Sequence, residues 1–522
     1  MSRLSAPGGS AEGADAARFP LRVAAVDVGS NAIRFLAAEF SAPLRYRVLA
    51  ERREPVRLGH EVFLSGALAP AAMDAAVEAI AGFRVAMGEL GIDVYRAVAT
   101  SATRESRNGA EFVERVRAEA GIELEAITGG EEARLVHQAV RAQHPLGERR
   151  WLLMDLGGGS VEVSLVDGSG TLWSESHTMG SVRLLEELAV SGEEPGRFQR
   201  LLAEYAATLR VGVVAEKWAP AGLIATGGNI DALARLAGGD PRRGRVAALP
   251  VSTLRGIIET LSRLSFRQRV EELGLREDRA DVILPAAMVY ERVASQAGVE
   301  EILVPGVGLK DGILVDLVDD LAGHRAHEAR RDEHVVAGAV ALGRRYLFDE
   351  AHATHVAALA ASLFDQLRAV HGLDDADRRL LRAAAVLHDI GIFVGHKKHH
   401  KHSLYLISQS EIGELSPRDT EIVAHVARYH RKGVPAPHHD AFARLPAADR
   451  DRVVRLASLL RIADALDREH LQAVRSVRAD ATPSRLLLHL DGEGDLLLER
   501  WALRRKADLF EETFGRSVEV EE

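Results

Sequence analysis

The chain has 522 residues, 47% hydrophobic and 27% charged, with a formal net charge of −10 and no cysteine. That length exceeds the ~250–300 residues at which a single core stops growing, so about two to four domains of ordinary globular composition are expected. The acidic balance argues against a general nucleic-acid or membrane binder and leaves any anion site to a local basic patch. The lack of cysteine excludes disulfides and Cys-ligated metal centres and fits a cytoplasmic protein.

Residues 1–19, mostly Gly, Ala and Ser with scattered charge, lack the apolar core of a signal peptide and read as a disordered leader. No later run approaches the ~18–20 apolar residues of a membrane span. Leu21 to Asp27 reads as a buried strand ending at the turn Gly29-Ser30-Asn31, followed by strands from Ile33 to Phe40 and Arg45 to Ala50. A helix over Pro70 to Leu90 stops at Gly91, Val94 to Thr100 is a strand, and Asn108 is placed to cap a helix that ends before Gly121. A strand over Glu123 to Thr128 and a helix over Glu131 to Arg141 complete a first α/β domain, expected over 20–145.

The opening then repeats. Trp151 to Met154 runs into Asp155, the turn Gly157-Gly158-Gly159-Ser160 and the alternating strand Val161 to Leu165. Asp27 and Asp155, 128 residues apart, each end a strand and precede a glycine by two residues, the mark of a distant internal duplication. Two further strand-to-glycine turns, Leu223 to Gly228 and Ile302 to Gly308, lead into helices of a second α/β domain over 146–325. From about residue 326 to 478 the pattern is helical. A small α+β tail over 479–522 reads as a strand from Arg485 to Leu490, a strand from Leu496 to Trp501, a helix and a last strand near Val518.

Two glycine-rich turns facing each other can clamp one phosphate, because backbone N–H groups donate to it and glycine lets the chain approach closely. Ser30 and Asn31 would form one wall, and Gly157, Gly158, Gly159 and Ser160 the other. Hydrolysis further needs a base to orient water and a cation to neutralise the phosphate. Asp155 sits where an aspartate can hold Mg²⁺, and Glu162, in phase with a buried face, is a second acidic candidate. Glu132 opens a helix just before the second turn, where the alternative role for it and Glu131 is simple complementation of the helix dipole. Arg104 is a candidate phosphate contact.

The segments Asp27-Val-Gly29-Ser30-Asn31-Ala-Ile-Arg34, Thr100-Ser-Ala-Thr-Arg104, Gly130-Glu-Glu132-Ala-Arg-Leu and Asp155-Leu-Gly-Gly-Gly-Ser160-Val-Glu162 occur in that order. Together they resemble the motifs of the exopolyphosphatase / guanosine pentaphosphate phosphohydrolase family, within the actin–sugar kinase–heat-shock ATPase superfamily. Thr226-Gly227-Gly228-Asn229 is similar to its third glycine turn and Pro305 to Gly312 to its closing one. The resemblance implies two ribonuclease-H-like domains, with Glu132 as the base that orients water, Asp155 assisting with Mg²⁺ and Asp27 and Glu162 as further metal candidates. It also implies that the turns, Gly227 and Gly228 included, hold the terminal phosphates and that Arg104 adds charge. Ala32 departs from the serine usual in the family.

In the helical region, His352, His388-Asp389, His430 and Asp464 stand out. Asp464 shares a helical face with Leu456 and Leu460, and a buried carboxylate without a cation costs several kcal/mol, on the order of the penalty for an unpaired charge. A metal held by His352, His388, Asp389 and Asp464 would offset that cost, and imidazole with carboxylate suits Mn, Fe, Zn or Mg. His402 and His430 are candidates for a second ion. The alternative is a metal-free polar network with partners such as Arg461. These positions resemble the ligand order of the HD phosphohydrolase superfamily, which implies an all-α HD-like domain. The basic tract Gly395 to His402 either guides a polyanion towards the first site or is a solvated loop beside the second.

The leading expectation is an exopolyphosphatase releasing orthophosphate from polyphosphate ends, with guanosine pentaphosphate 5'-phosphohydrolase as the alternative. An HD-type nucleotide phosphohydrolase with a regulatory first half is a further one. A sugar kinase would offer an aspartate base and a sugar pocket, and a non-catalytic alarmone-binding module is the remaining class. By analogy only, an anion channel formed between subunits points to a homodimer.

Overall fold

The computed structural model describes residues 2–3 and 19–521, apart from 61, 169, 192–199, 201–203, 206, 210, 323, 324, 411, 413, 414 and 432. Most of the expected leader lies outside the described residues; within it, Ser2–Arg3 pairs antiparallel with Val94–Tyr95. The chain divides into two units, Met1–Glu328 and Ala329–Glu522.

Unit 1 holds two sheets of the same design. In the first, β1 (Leu21–Val28), β2 (Ile33–Ala42) and β3 (Arg45–Glu54) form an antiparallel meander, and β4 (Val94–Ala99) and β5 (Leu124–Ala126) add in parallel on the other side of β1. In the second, β6 (Trp151–Leu156), β7 (Val161–Val166) and β8 (Thr171–His177) form the meander, and β9 (Leu223–Thr226) and β11 (Glu301–Val304) are the parallel strands. A short β10 (Ala247–Pro250) closes the far edge antiparallel to β11. Both halves thus have strand order 3-2-1-4-5 with the second strand reversed, which is the ribonuclease-H-like arrangement.

The central strands are apolar on both faces because both faces are covered. Ala24, Val26 and Val28 of β1 pack with the helix Pro70–Glu89, while Val23 and Ala25 face a second core. That second core also takes Leu153 of β6 and the helices Gly129–Gln143 and Leu309–Leu321, so the two sheets share it. The two helices cross where Gly312 abuts Leu135: a Cβ on Gly312 would lie 1.9 Å from the Leu135 carbonyl oxygen.

Unit 2 is built on the helices Glu350–Gln366, Asp375–Leu387, Pro417–Arg428 and Ala447–Ala465 around one core. Its sheet pairs β12 (Val474–Ala481) antiparallel with β13 (Arg485–Gly492), and β13 parallel with β14 (Ser517–Val520). Val477, Leu488 and Phe510 belong to the same core as the helices, so the tail is part of that packing. The strand expected over Leu496 to Trp501 is instead the start of the helix Leu497–Lys506. The reason is a helical burial period: Glu499, Ala502 and Leu503 turn inward at three- and four-residue spacing, while Leu497, Leu498 and Trp501 remain exposed. Among the described residues no helix is long and apolar enough to cross a membrane.

The Gly312 contact yields a prediction. Gly312→Ala is expected to destabilise the fold by about 1–3 kcal/mol, as over-packing does. Gly256→Ala, in the helix Val251–Arg263 with open space around it, is expected to be neutral or slightly stabilising. Thermal melts of the two variants against wild type check both.

Candidate active site and a second cluster

The pairing register of the two meanders builds the first site. Asp27 lies opposite Arg34 across β1 and β2, and Asp155 lies opposite Glu162 across β6 and β7. In each turn the glycine two residues after the aspartate donates its N–H three residues on, Gly29 to the Ala32 carbonyl at 3.2 Å and Gly157 to that of Ser160 at 3.0 Å. The expected duplication therefore holds in the hydrogen bonding as well as in residue type. The tips of the hairpins meet: a Cβ on Gly158 would be 3.0 Å from Ser30 Cβ, and one on Gly159 would be 2.4 Å from Ser101 Oγ.

Between them opens a cleft of about 880 Å³. Ser30 and Asn31 line it from the first hairpin and Gly157, Gly158 and Ser160 from the second, while Gly227 and Gly228 lead into the helix Gly228–Leu236. Gly159, expected to bind phosphate, is not among the lining residues. It packs on Phe63 and Ser101, and its carbonyl accepts from Arg183 Nε at 3.0 Å.

Glu131 and Glu132 are adjacent in sequence and differ completely in surroundings. Thr128 caps the helix by accepting from the Glu131 N–H, and the Glu131 carboxylate accepts from Arg134 Nε at 2.7 Å and Arg96 Nη2 at 3.0 Å. One residue on, Glu132 is buried, and its Oε2 has no hydrogen-bond partner among the described residues. The nearest cation is Arg104, 4.0 Å away, whose Nη1 donates to the Ile127 carbonyl at 2.7 Å; Arg104 does not line the cleft.

Glu132, Asp155 and Glu162 each offer a carboxylate oxygen within 4.8 Å of the other two. Asp155 accepts from Thr226 Oγ1 at 2.6 Å and Glu162 from Ser176 Oγ at 3.0 Å, while Glu162 Oε2 is unpartnered. Burial, and then the charges of Glu162 and Asp155, push Glu132 well above the usual carboxylate range. Burial and the Asp155 charge push Glu162 up to about 8, and burial raises Asp155 as well. Like charges in a dry pocket with open lone pairs are what a cation site requires. Asp27, an expected metal candidate, stands outside this trio: it lines the cleft but is ion-paired with Arg34 at 2.8 Å.

Three cations of the cleft wall were not singled out as site residues. Arg34 and Lys310 sit inside motifs that are visible in the sequence. Arg279 carries no local signal and reaches the cleft only through the tertiary fold, where its Nη1 donates to Asn229 Oδ1. Burial and then the Arg34 charge hold Arg279 down to about 10.

In unit 2, His352, His388 and Asp464 bring ligand atoms together in one trio, and Asp389, His399 and His430 do so in another. Asp349 caps the helix that carries His352, and Ser403 links the helix His399–Ser408 to the His388 turn by donating to the His388 carbonyl at 2.7 Å. His399, Ser403 and Ile407 form the buried face of that helix. His402, expected as a ligand, points off this face and joins no trio, and His399 from the same basic tract takes its place. Arg461 pairs with Asp508, and Lys506 is the partner of Asp464. Against the upward push of burial, Lys506 holds Asp464 below its ordinary range, and burial takes His388 down to about 4, leaving that imidazole neutral.

Comparison with known proteins gives these geometries a context. A "guanosine-5'-triphosphate,3'-diphosphate pyrophosphatase" of Aeromonas hydrophila is 26% identical over 84% of this chain and 86% of its own length. An "exopolyphosphatase 1" of Mycobacterium tuberculosis is 30% identical over 58% of this chain and 90% of its own. Among solved structures, an exopolyphosphatase from Cytophaga hutchinsonii superposes with a TM-score of 0.53 at 26% identity, covering 57% of this chain and 98% of that one. The profile of the Ppx/GppA phosphatase family matches residues 39–321 and that of Ppx/GppA phosphatase domain III matches 337–512. By the extent of the first match, which takes in the acidic trio and most of both sheets, the chain belongs to the Ppx/GppA phosphatase family.

Proposed function

We propose that this phosphatase removes the terminal phosphate of a polyphosphorylated anion, inorganic polyphosphate first, using Mg²⁺ held by the acidic trio. The observation that carries the reading is the meeting of two glycine hairpins with Glu132 and Asp155 in one cleft, Glu162 standing within 4.8 Å of both. The all-oxygen donor set with open lone pairs on Glu132 and Glu162 fits a small hard dication, which would supply charge neutralisation at the phosphoryl oxygens. The chain's own groups do the rest. Backbone N–H groups of the hairpins, with Ser30 and Ser160, hold the terminal phosphate. Glu132, buried and free of other bonds, orients the attacking water and takes its proton. Thr226 holds Asp155, and Arg104 keeps positive charge beside Glu132. A cytoplasmic location belongs to the same reading. In unit 2, the histidine and aspartate set is read as the holder of a further divalent ion.

A neighbouring cavity of about 1280 Å³ shares Arg34, Arg279 and Lys310 with the cleft and adds Arg52, Arg53, Arg235 and Arg276. Guanidinium groups are planar, permanently charged and matched to phosphate oxygens. Its walls carry no aromatic ring among the described residues, which suits successive phosphates better than a stacked base. The second reading, a guanosine pentaphosphate, is favoured by one observation: the relative with that kind of name aligns over 84% of this chain and the exopolyphosphatase over 58%.

Glu132→Gln is expected to lower phosphate release by roughly 10²–10⁴-fold, the range for loss of a general base, without lowering the melting temperature; an unchanged rate would refute the role. Glu162→Gln is expected to weaken Mg²⁺ binding at least about tenfold in calorimetric titration, and to raise the melting temperature of the chelator-treated protein by removing one like charge. Arg235→Glu with Arg276→Glu, both exposed, is expected to raise KM for long polyphosphate and leave that for tripolyphosphate unchanged. Phosphate release from long polyphosphate, guanosine pentaphosphate and ATP at one Mg²⁺ concentration ranks the two readings.

A further inference from the structure

Resting on the reading that the cleft and its neighbouring cavity hold a polyphosphorylated anion, we propose that Asp231 is a proton-linked substrate-binding residue. It takes up a proton as the anion binds and donates it in a hydrogen bond to a phosphate behind the terminal one. Asp231 stands in the first turn of the helix Gly228–Leu236 and lines both the cleft and the cavity. A carboxylate is out of place there, because an ionised carboxylate and a phosphate oxygen are both negative and both acceptors. An acid in the first turn of a helix ordinarily complements the helix dipole. At Asp231 that leaves one oxygen unaccounted for: Oδ1 is buried and has no hydrogen-bond partner among the described residues.

Four cations face Asp231, and three of them are held by other groups. Arg34, on β2, is ion-paired with Asp27 at 2.8 Å. Arg279, on the short helix Glu277–Ala280, donates to Asn229 Oδ1. Lys310, on the helix Leu309–Leu321, lies 3.2 Å from Asp311 and 3.5 Å from Glu51. The fourth, Arg235, is exposed one helical turn on from Asp231. Tyr290 also faces the carboxylate, and its hydroxyl donates to the Thr226 carbonyl at 2.9 Å. Elsewhere on the cavity wall, beside Arg52, both Arg53 and Arg276 pair with Asp278.

Burial outweighs the pull of Arg235, Lys310, Arg34 and Arg279 and pushes the Asp231 carboxyl up to about 6. At neutral pH the free site therefore holds mostly the carboxylate. Phosphates entering beside it bring negative charge and engage the same cations, and both effects favour the protonated form. The neutral acid has an O–H to give to a phosphate oxygen, which the carboxylate lacks. With one proton linked to binding, the contribution of Asp231 to affinity is full at pH 6 and below. It falls by up to about tenfold per pH unit above that.

The test uses the full chain carrying Glu132→Gln, so that turnover is slow, with and without Asp231→Asn. Long polyphosphate is titrated in by calorimetry at one Mg²⁺ concentration, in buffers of different ionisation enthalpy. Between pH 7 and 8 the chain with Asp231 is expected to take up more protons on binding than the Asp231→Asn variant, by up to about one. The amide cannot ionise but can donate, so the variant is expected to bind at least about tenfold more tightly at pH 8. Equal proton uptake, with or without a lower melting temperature, is the result of a helix-dipole role alone; it overturns the proposal and leaves the proposed function standing. No binding of polyphosphate by either chain overturns the proposed function and the proposal with it. If Asp231→Asn fails to fold, Asp231→Ala decides: loss of the proton uptake supports the proposal and its retention overturns it.

Discussion

Glu132, Asp155 and Glu162 crowd together, all three buried, with Arg104 no nearer to Glu132 than 4.0 Å. Burial raises the proton affinity of all three, like charges within the trio add to it at Glu132 and Glu162, and the fold tolerates the arrangement because the elements that carry them are held from outside. Glu132 is fixed by a helix locked through Glu131, Arg134, Arg96 and Asp316. Asp155 is fixed by Thr226, and Glu162 by the register of β6 with β7. The stabilising contacts lie one residue or one strand away from the three carboxylates, and Glu132 and Glu162 each keep an unpartnered oxygen.

The duplicated hairpins show how one device can serve two purposes. At the same pairing position the first half carries Arg34 and the second Glu162. In the first half the aspartate is neutralised by its neighbour, and Asp27 becomes part of a structured wall. In the second the aspartate meets another acid, and with Glu132 three carboxylates gather within 4.8 Å of one another. The twofold repeat therefore gives two similar backbone cradles and one asymmetric charge distribution, basic on one side and acidic on the other.

Unit 2 follows a different rule. Its polar core is nitrogen-rich, and each of its four facing imidazoles is anchored at Nδ1, so the rings are held in the cluster. Lys506 supplies one fixed positive charge against Asp464. The two units differ in donor chemistry, all oxygen in one and mixed nitrogen and oxygen in the other.

Much of this was legible in the residues alone. Apolar strands ending in Asp-x-Gly predict the first meander and the first two strands of the second, and the glycine turns locate the cleft, because backbone geometry there is set by neighbours a few residues apart. The histidines and aspartates of unit 2 were likewise visible as residue types out of place on apolar faces. What local sequence could not decide were choices made by partners far along the chain. Arg279 enters the cleft through Asn229, 50 residues away, and Asp27 leaves the acidic trio for Arg34. His399 displaces His402 because one helical face is buried and the other is not. Leu496 to Leu498 is an apolar run open to a strand reading, yet the helix wins because Ala502 and Leu503 find a core to fill. Sequence determined which groups were available and where the backbone turned. Only the tertiary structure decided which of them meet, because charge pairing and burial depend on distances that no local pattern encodes.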